Sequence, residues 1–337
     1  MPTGPVAKKL LLLAGAGILV LMLFGLVVGA VGTAVRDKDA EPFLPQPAIH
    51  LPPQPVFPDS KRNAFLGIED TGADATDGSG SGDHEAGASG ERHEVNPLGM
   101  GEFAITNTLL SSWFVTIILI VFFLWGARKR SLIPGRFQGM IEALFEGIIG
   151  FCSSVLGPEL ARKAFPIVAT IFFFVLFNSW LSLLPFYHFL GFKDAGGNMV
   201  AELVRSAGTD LNMPLALALV SFVFVEYYGL RAHGLGYFKK FFAFGNLLRG
   251  RPSGLIDIFV GFLEGISELV RVVSFTFRLF GNMTAGEILV VMITFLVPFV
   301  ATQFVFGLEL LVGLIQAVIF ASLTVVFLSV AVRHEEH

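Results

Sequence analysis

A guanidinium, two carboxylates and a carboxamide stand in the last part of the chain where nearly every neighbour is apolar. Arg278 follows Val272-Val273-Ser274-Phe275-Thr276-Phe277 and precedes Leu279-Phe280-Gly281-Asn282; Glu287, Glu309 and Gln316 come after it. Arginine does not deprotonate in proteins, and placing one at bilayer depth costs roughly 2.5–3.5 kcal/mol on insertion scales, so an arginine kept there marks function. The ordinary alternative is a helix-end arginine that snorkels to the headgroups. Its polar companions decide between the two. A carboxylate in a membrane interior exchanges protons with water wherever a hydrated cavity reaches it, because desolvation favours the protonated form. Glu287 and Glu309 therefore suit an aqueous half-pathway from one side, and Glu264, near the start of the Arg278 segment, suits one from the other. A fixed positive charge between them repels cations attempting a direct crossing and attracts a carboxylate presented by a partner.

Helical phase sorts these groups onto faces. At about 100° per residue, Ser274, Asn282 and Glu264 fall within about 40° of Arg278, whereas Glu287 lies about 180° round and some 13.5 Å further along the axis. Glu309 and Gln316, seven residues apart, share a face and stand about 10 Å apart; they are expected to look into the same interior as Glu287. Glu268 and Arg271 read as an ordinary helix charge pair near the cytoplasmic surface.

The elements that must carry these residues are membrane helices. Hydrophobic residues make up 54% of the 337 and charged residues 15%, with 36 Phe and a mean hydropathy of +0.72, whereas soluble chains carry about 25% charge. The chain is a polytopic membrane protein. Apolar blocks at Ala104–Gly126, Ala164–Tyr187, Met213–Leu230, Leu255–Val297 and Pro298–Val332 each reach the ~20 residues needed to cross. From about Ile258 the pattern runs without proline to Pro298, a helix of roughly 60 Å against a ~30 Å hydrocarbon slab, which must tilt steeply or divide. Arg128, Lys129, Arg130, Arg136, Arg162 and Lys163 gather in one loop and Arg231, Lys239, Lys240, Arg249 and Arg251 in another, while 188–212 holds only Lys193 and Arg205. The positive-inside rule then puts both termini in the cytoplasm, with six crossings if the first block is kept. Between Arg136 and Gly157, apolar residues at helical spacing predict an interfacial helix on the cytoplasmic face.

Ahead of this body stand two further segments. Residues 1–35, with Lys8-Lys9 before an apolar run from Leu10, have the pattern of a signal peptide or signal anchor; the run exceeds the usual ~7–15 residue signal core, which favours a retained anchor. Residues 36–102 hold 13 Asp/Glu against 5 Lys/Arg and seven prolines between Pro42 and Pro58. They bury too little apolar surface to offset chain entropy, and are expected to form a disordered acidic extracytoplasmic tail. The single cysteine, Cys152, rules out an intrachain disulfide and a cysteine metal cluster.

The run Phe277-Arg278-Leu279-Phe280-Gly281-Asn282-Met283-Thr284-Ala285-Gly286-Glu287 closely resembles the signature of subunit a of the F-type ATP synthase membrane sector. Further blocks are similar in order: Asn178-Ser179-Trp180-Leu181-Ser182-Leu183-Leu184-Pro185, Asp210-Leu211-Asn212, Gly236-Tyr237-Phe238-Lys239, Leu263-Glu264-Gly265 and Gln316-Ala317. The resemblance covers about residues 103–337. It implies an all-α integral membrane fold of about five core transmembrane helices plus the N-terminal helix, the last two forming a strongly tilted hairpin. It also implies a non-catalytic, proton-conducting stator in a bacterial plasma membrane with a cytoplasmic C-terminus. The partners it implies are a rotating c-ring, the b subunits of the peripheral stalk and the rest of the synthase; no nucleic acid, cofactor or metal is expected. By the same resemblance Arg278 faces the ring carboxylate, Asn282, Glu287, Glu309, Gln316 and Asp210 line the extracytoplasmic access path, and Glu264 and Ser267 line the cytoplasmic one. Several relatives carry histidine at the Glu309 position, so this chain departs from that variant and pairs two carboxylates.

Two other classes fit less well. A secondary transporter also places charges at mid-membrane but usually shows paired repeats with broken helices, and no internal repeat links the two halves. A membrane enzyme needs a nucleophile and base or a metal set; Gly-x-Ser-x-Gly and His-Glu-x-x-His are both missing, and His334-Glu335-Glu336-His337 has the wrong spacing.

Overall fold

Apolar runs bounded by Pro, Gly and Asn become helices close to the limits their composition sets. The computed structural model describes residues 5–36, 53–57, 104–127, 135–184, 191–193, 199–202, 204–234, 236–237 and 254–332. Within these are α1 (Pro5–Val28), α2 (Ala30–Arg36), α3 (Asn107–Ala127), α4 (Arg136–Leu156), α5 (Pro158–Ser182), α6 (Asn212–His233), α7 (Gly254–Leu296) and α8 (Val300–Val332). Six of them, α3 to α8, are long and apolar enough to cross a membrane. Two short antiparallel ribbons, β1 (Pro55–Phe57) with β2 (Ile105–Thr106) and β3 (Gly191–Lys193) with β4 (Met199–Glu202), and a 3-10 turn at Ala207–Thr209 are also described.

The central element is α5. More than half of its membrane-length window is buried, 56% against 11% for α3 and for α4, so α5 is the post on which the others pack. An aromatic cluster holds α3, α4 and α5 together. Phe123 stacks on Phe145 at 5.5 Å and meets Phe173 edge-on at 4.8 Å, and Phe145 meets Phe165 at 5.6 Å, within the range where ring pairs add to plain burial. On its other side α5 meets α8 at close quarters. A Cβ placed on Gly313 would stand 2.7 Å from the Ser179 Cβ, and the Trp180 indole N–H donates to the Leu310 carbonyl at 3.0 Å. Small residues at such seams let membrane helices approach, since lipid supplies no hydrophobic drive between them. Between α6 and α8 the glue is polar, a 2.8 Å hydrogen bond between the Ser221 and Thr324 hydroxyls.

The long helix is unbroken. α7 runs 43 residues, about 64 Å at 1.5 Å per residue, and α8 runs 33, so both exceed an upright crossing and a tilt accommodates the excess. The turn between them holds a buried Pro298 and Phe299 at φ 72, a left-handed backbone uncommon for a bulky residue. The first helix seats on this turn. Any side chain at Gly25 would strike the Pro298 carbonyl, one at Gly29 would strike that of Leu296, and Phe24 lies 6.0 Å from Phe299 ring to ring.

Three expectations need amendment. The interfacial helix expected over 136–157 forms with Glu142 and Glu146 exposed; Met140, Leu144 and Phe151 are exposed too, while Ile141 and Cys152 are buried and Phe145 and Ile148 half-buried. Gly157 (φ 79) alone separates α4 from α5, which begins on Pro158, so the chain doubles back and a half-buried Phe145 packs against α5. The disorder expected across 36–102 fails at residues 53–57, where Gln54, Pro55 and Val56 are buried. The Gln54 carbonyl accepts from the Asn107 amide at 3.0 Å and its amide donates to the Asn107 carboxamide at 3.2 Å. The rest of that expectation, over 37–52 and 58–102, lies outside the described residues, as do Pro185, Phe238 and Lys239. Glu268 and Arg271 do pair, at 2.6 Å, and the pair is packed against protein: Glu268 is buried and the Arg271 guanidinium lies 3.9 Å over the Phe327 ring.

Candidate functional site

Arg278 sits near the midpoint of α7, exposed, on a face that nothing in the described chain covers. Its guanidinium carbon is 5.9 Å from the Phe275 ring centroid, the outer limit of a cation–π contact, and it makes no ion pair or hydrogen bond among the described residues. The helical period puts Glu264, Ser267, Ser274 and Asn282 on the same side, and all four are exposed. Between them lie exposed apolar side chains, among them Leu263, Val270, Val273 and Phe277. Behind Arg278, Leu279 is buried in the core at 2% exposure.

On the opposite side of the same helix is a cavity of about 40 Å³, room for a few waters. Four elements build it: Ser179 and Ser182 from the end of α5, Arg205 and Ser206 from the segment before α6, Met283, Glu287 and Val290 from α7, and Phe306, Glu309 and Gly313 from α8. Glu287 and Glu309 are thus brought into one space by the α7–α8 hairpin. Gly286 makes room for this, because a Cβ there would run into the Glu309 carboxylate.

Arg205 is the residue that sequence reasoning passed over as one of two cations in an outer loop. It is buried at 6% exposure, and its Nε and Nη2 donate to Oε1 and Oε2 of Glu287 at 3.1 and 3.3 Å, a two-pronged pair of the kind that matches guanidinium to carboxylate geometry. The only signal for it in the sequence is a cation standing against the positive-inside trend, five residues before Asp210-Leu211-Asn212.

The remaining expected residues separate. Gln316 is buried on α8 but does not line the cavity, and Asn282 lies on the Arg278 side. Asp210 is not in the cavity either. It accepts from the Thr108 hydroxyl at 2.8 Å and from the amide and carboxamide of Asn212 at 3.0 Å each, so it ties the starts of α3 and α6 together.

Comparison with known proteins follows the same lines. The family model described as ATP synthase A chain matches residues 109–329. ATP synthase subunit a of Campylobacter concisus is 36% identical over 222 residues, 66% of this chain and 87% of that protein. That of Sulfurihydrogenibium sp. is 34% identical over 223 residues, 66% of this chain and 95% of its own, and that of Mycobacterium marinum 34% over 255, 73% and 94%. The match takes in α3 to α8 with both the Arg278 face and the carboxylate cavity, and the chain belongs to the ATP synthase A chain family.

Proposed function

We propose that this chain is the proton-conducting stator subunit of an F-type ATP synthase, in which two half-paths enter from opposite sides and are kept apart by Arg278. The observation that carries this is the two-sidedness of α7: an uncovered arginine on one face, and on the other a cavity holding two carboxylates. A path open right through the chain would dissipate the gradient. A fixed cation on the outward face instead lets a proton pass only when a partner carboxylate arrives to carry it.

The Lys and Arg distribution assigns the sides. It puts the Gly254 end of α7 and the C-terminus in the cytoplasm of a bacterial cell and the α7–α8 turn outside. Glu287 and Glu309 then serve the outer half-path, and Glu264 and Ser267 the inner one. Ser274, Arg278 and Asn282 face the rotating c-ring, while b subunits of the peripheral stalk hold the chain still. Asp210 serves by fixing the segment that carries Arg205. The chain catalyses nothing by itself. Its first helix is a retained anchor, supported by the seating of Gly25 and Gly29 on the α7–α8 turn, and the intact mass of the mature subunit tests this. A secondary transporter would enclose its site within one chain; here the arginine faces outward.

Replacing Arg278 by alanine in the intact synthase is the test. The complex is expected to assemble in normal amount while proton-driven ATP synthesis falls at least a hundredfold. Normal coupling in the assembled variant refutes the proposal.

A further inference from the structure

The outer cavity contains three charged groups, one guanidinium and two carboxylates, and they are not equivalent. Arg205 comes from the α6 approach, Glu287 from α7 and Glu309 from α8; α5 contributes only Ser179 and Ser182 as polar groups. Both oxygens of Glu287 are engaged by Arg205. Glu309, by contrast, has its carboxylate over Gly286 and makes no ion pair or hydrogen bond among the described residues. Arginine cannot hand over a proton, and a carboxylate held in a two-pronged pair with it must give up that pairing to accept one. The two acids are therefore divided by geometry into a fixed partner and a loose one.

We infer that Arg205 is a positioning residue of the outer half-path: it holds Glu287 as a fixed carboxylate, so that Glu309 is the group that takes up protons from the cavity water and passes them on. This rests on the proton-path reading above. It assigns Arg205 a part that its place in a loop does not suggest, and it makes the two carboxylates unequal in function. An unmatched charge in a buried site is disfavoured far more than a matched pair or a neutral pair. Removing Arg205 alone therefore leaves Glu287 without its partner and makes it compete with Glu309 for protons. Removing Arg205 and Glu287 together leaves Glu309 as before.

The experiment uses the whole synthase in inverted membrane vesicles, with ATP-driven proton pumping followed across pH and the amount of assembled complex measured alongside. Arg205→Gln is expected to pump at least tenfold more slowly with an altered pH profile. The double variant Arg205→Gln/Glu287→Gln is expected to pump severalfold faster than Arg205→Gln and to move the profile back toward the native one while staying below the native rate, and Arg205→Lys, which keeps the charge and loses the fork, to lie between Arg205→Gln and the native synthase. Glu309→Gln is expected to block pumping whether or not Arg205 is present. Glu309→His should retain pumping with a profile moved toward the histidine range near pH 6.5. A native rate and profile in Arg205→Gln overturns the inference, as does an assembled double variant no better than the single. Should Arg205→Gln fail to assemble, the double variant decides: recovery of assembly and profile supports the inference, and failure of either overturns it. Arg278→Ala keeps the two levels distinct. If that variant is uncoupled while the Arg205 series is flat, the positioning role falls and the proton-path reading stands.

Discussion

At the scale of single residues, the site depends on one position that lacks a side chain. Gly286 lies beneath the Glu309 carboxylate, next to Glu287 in sequence, and anything larger would push the acid away. We expect Gly286→Val to leave the complex assembled, since only the far end of a flexible side chain has to move, while proton pumping falls roughly tenfold, about 1.4 kcal/mol; pumping at the native rate in vesicles would show that the acid does not need that seat. Some of this was legible beforehand. The 3.6-residue period was enough to place Arg278 and Glu287 on opposite sides of one helix, because phase along an unbroken helix is a local property. Arg205 was not legible, since its contact with Glu287 spans 82 residues and lies in a segment with no period to read. The bonds of Asp210 were not legible for a related reason: a carboxylate at the start of a helix looks the same in sequence whether or not it bonds Asn212 and Thr108.

At the scale of elements, the geometry of the cavity is set by how closely α8 lies on α5. Gly313 lines the cavity and touches Ser179, so the same close approach fixes the seam and the site. Gly313→Leu should force the two backbones apart and destabilise the subunit by about 1–3 kcal/mol, the usual cost of overpacking a tight contact; thermal unfolding of the complex in detergent reads this, and an unchanged midpoint would mean the seam yields freely. Element identity was the most readable feature of the chain. The span from about Ile258 to Pro298 became a single helix from Gly254 to Leu296, because no Pro or paired Gly interrupts its hydrogen-bond ladder. What composition did not reveal was the placement of α4. Its amphipathic pattern suits a membrane surface, and Met140, Leu144 and Phe151 stay exposed, but Phe145 also packs on Phe123, Phe165 and Phe173, and how such a face is shared between neighbours is a tertiary matter.

At the scale of the whole molecule, the face of α7 around Arg278, where the proposed function puts the ring, is left uncovered by the described residues. Exposed Leu263, Val270, Val273 and Phe277 flank the polar stripe, and patches of that kind mark docking sites or lipid contact. A cysteine at Ser274 should form oxidative cross-links to ring subunits carrying a cysteine beside their carboxylate, whereas one at Val290, buried on the cavity side, should form none. Equal yields from the two positions would remove the ring from this face.

The pairing of Pro55–Phe57 with Ile105–Thr106 has a topological effect. Backbone bonds and the Asn107 carboxamide join residues 54–57 to the start of α3, closing a loop of the chain at its base. A protease that cut between residues 58 and 103 would produce two polypeptides but not two separate bodies. The upstream fragment would stay clasped to the membrane domain by this ribbon, and by the seat of α1 on the far hairpin turn, until denaturant released it.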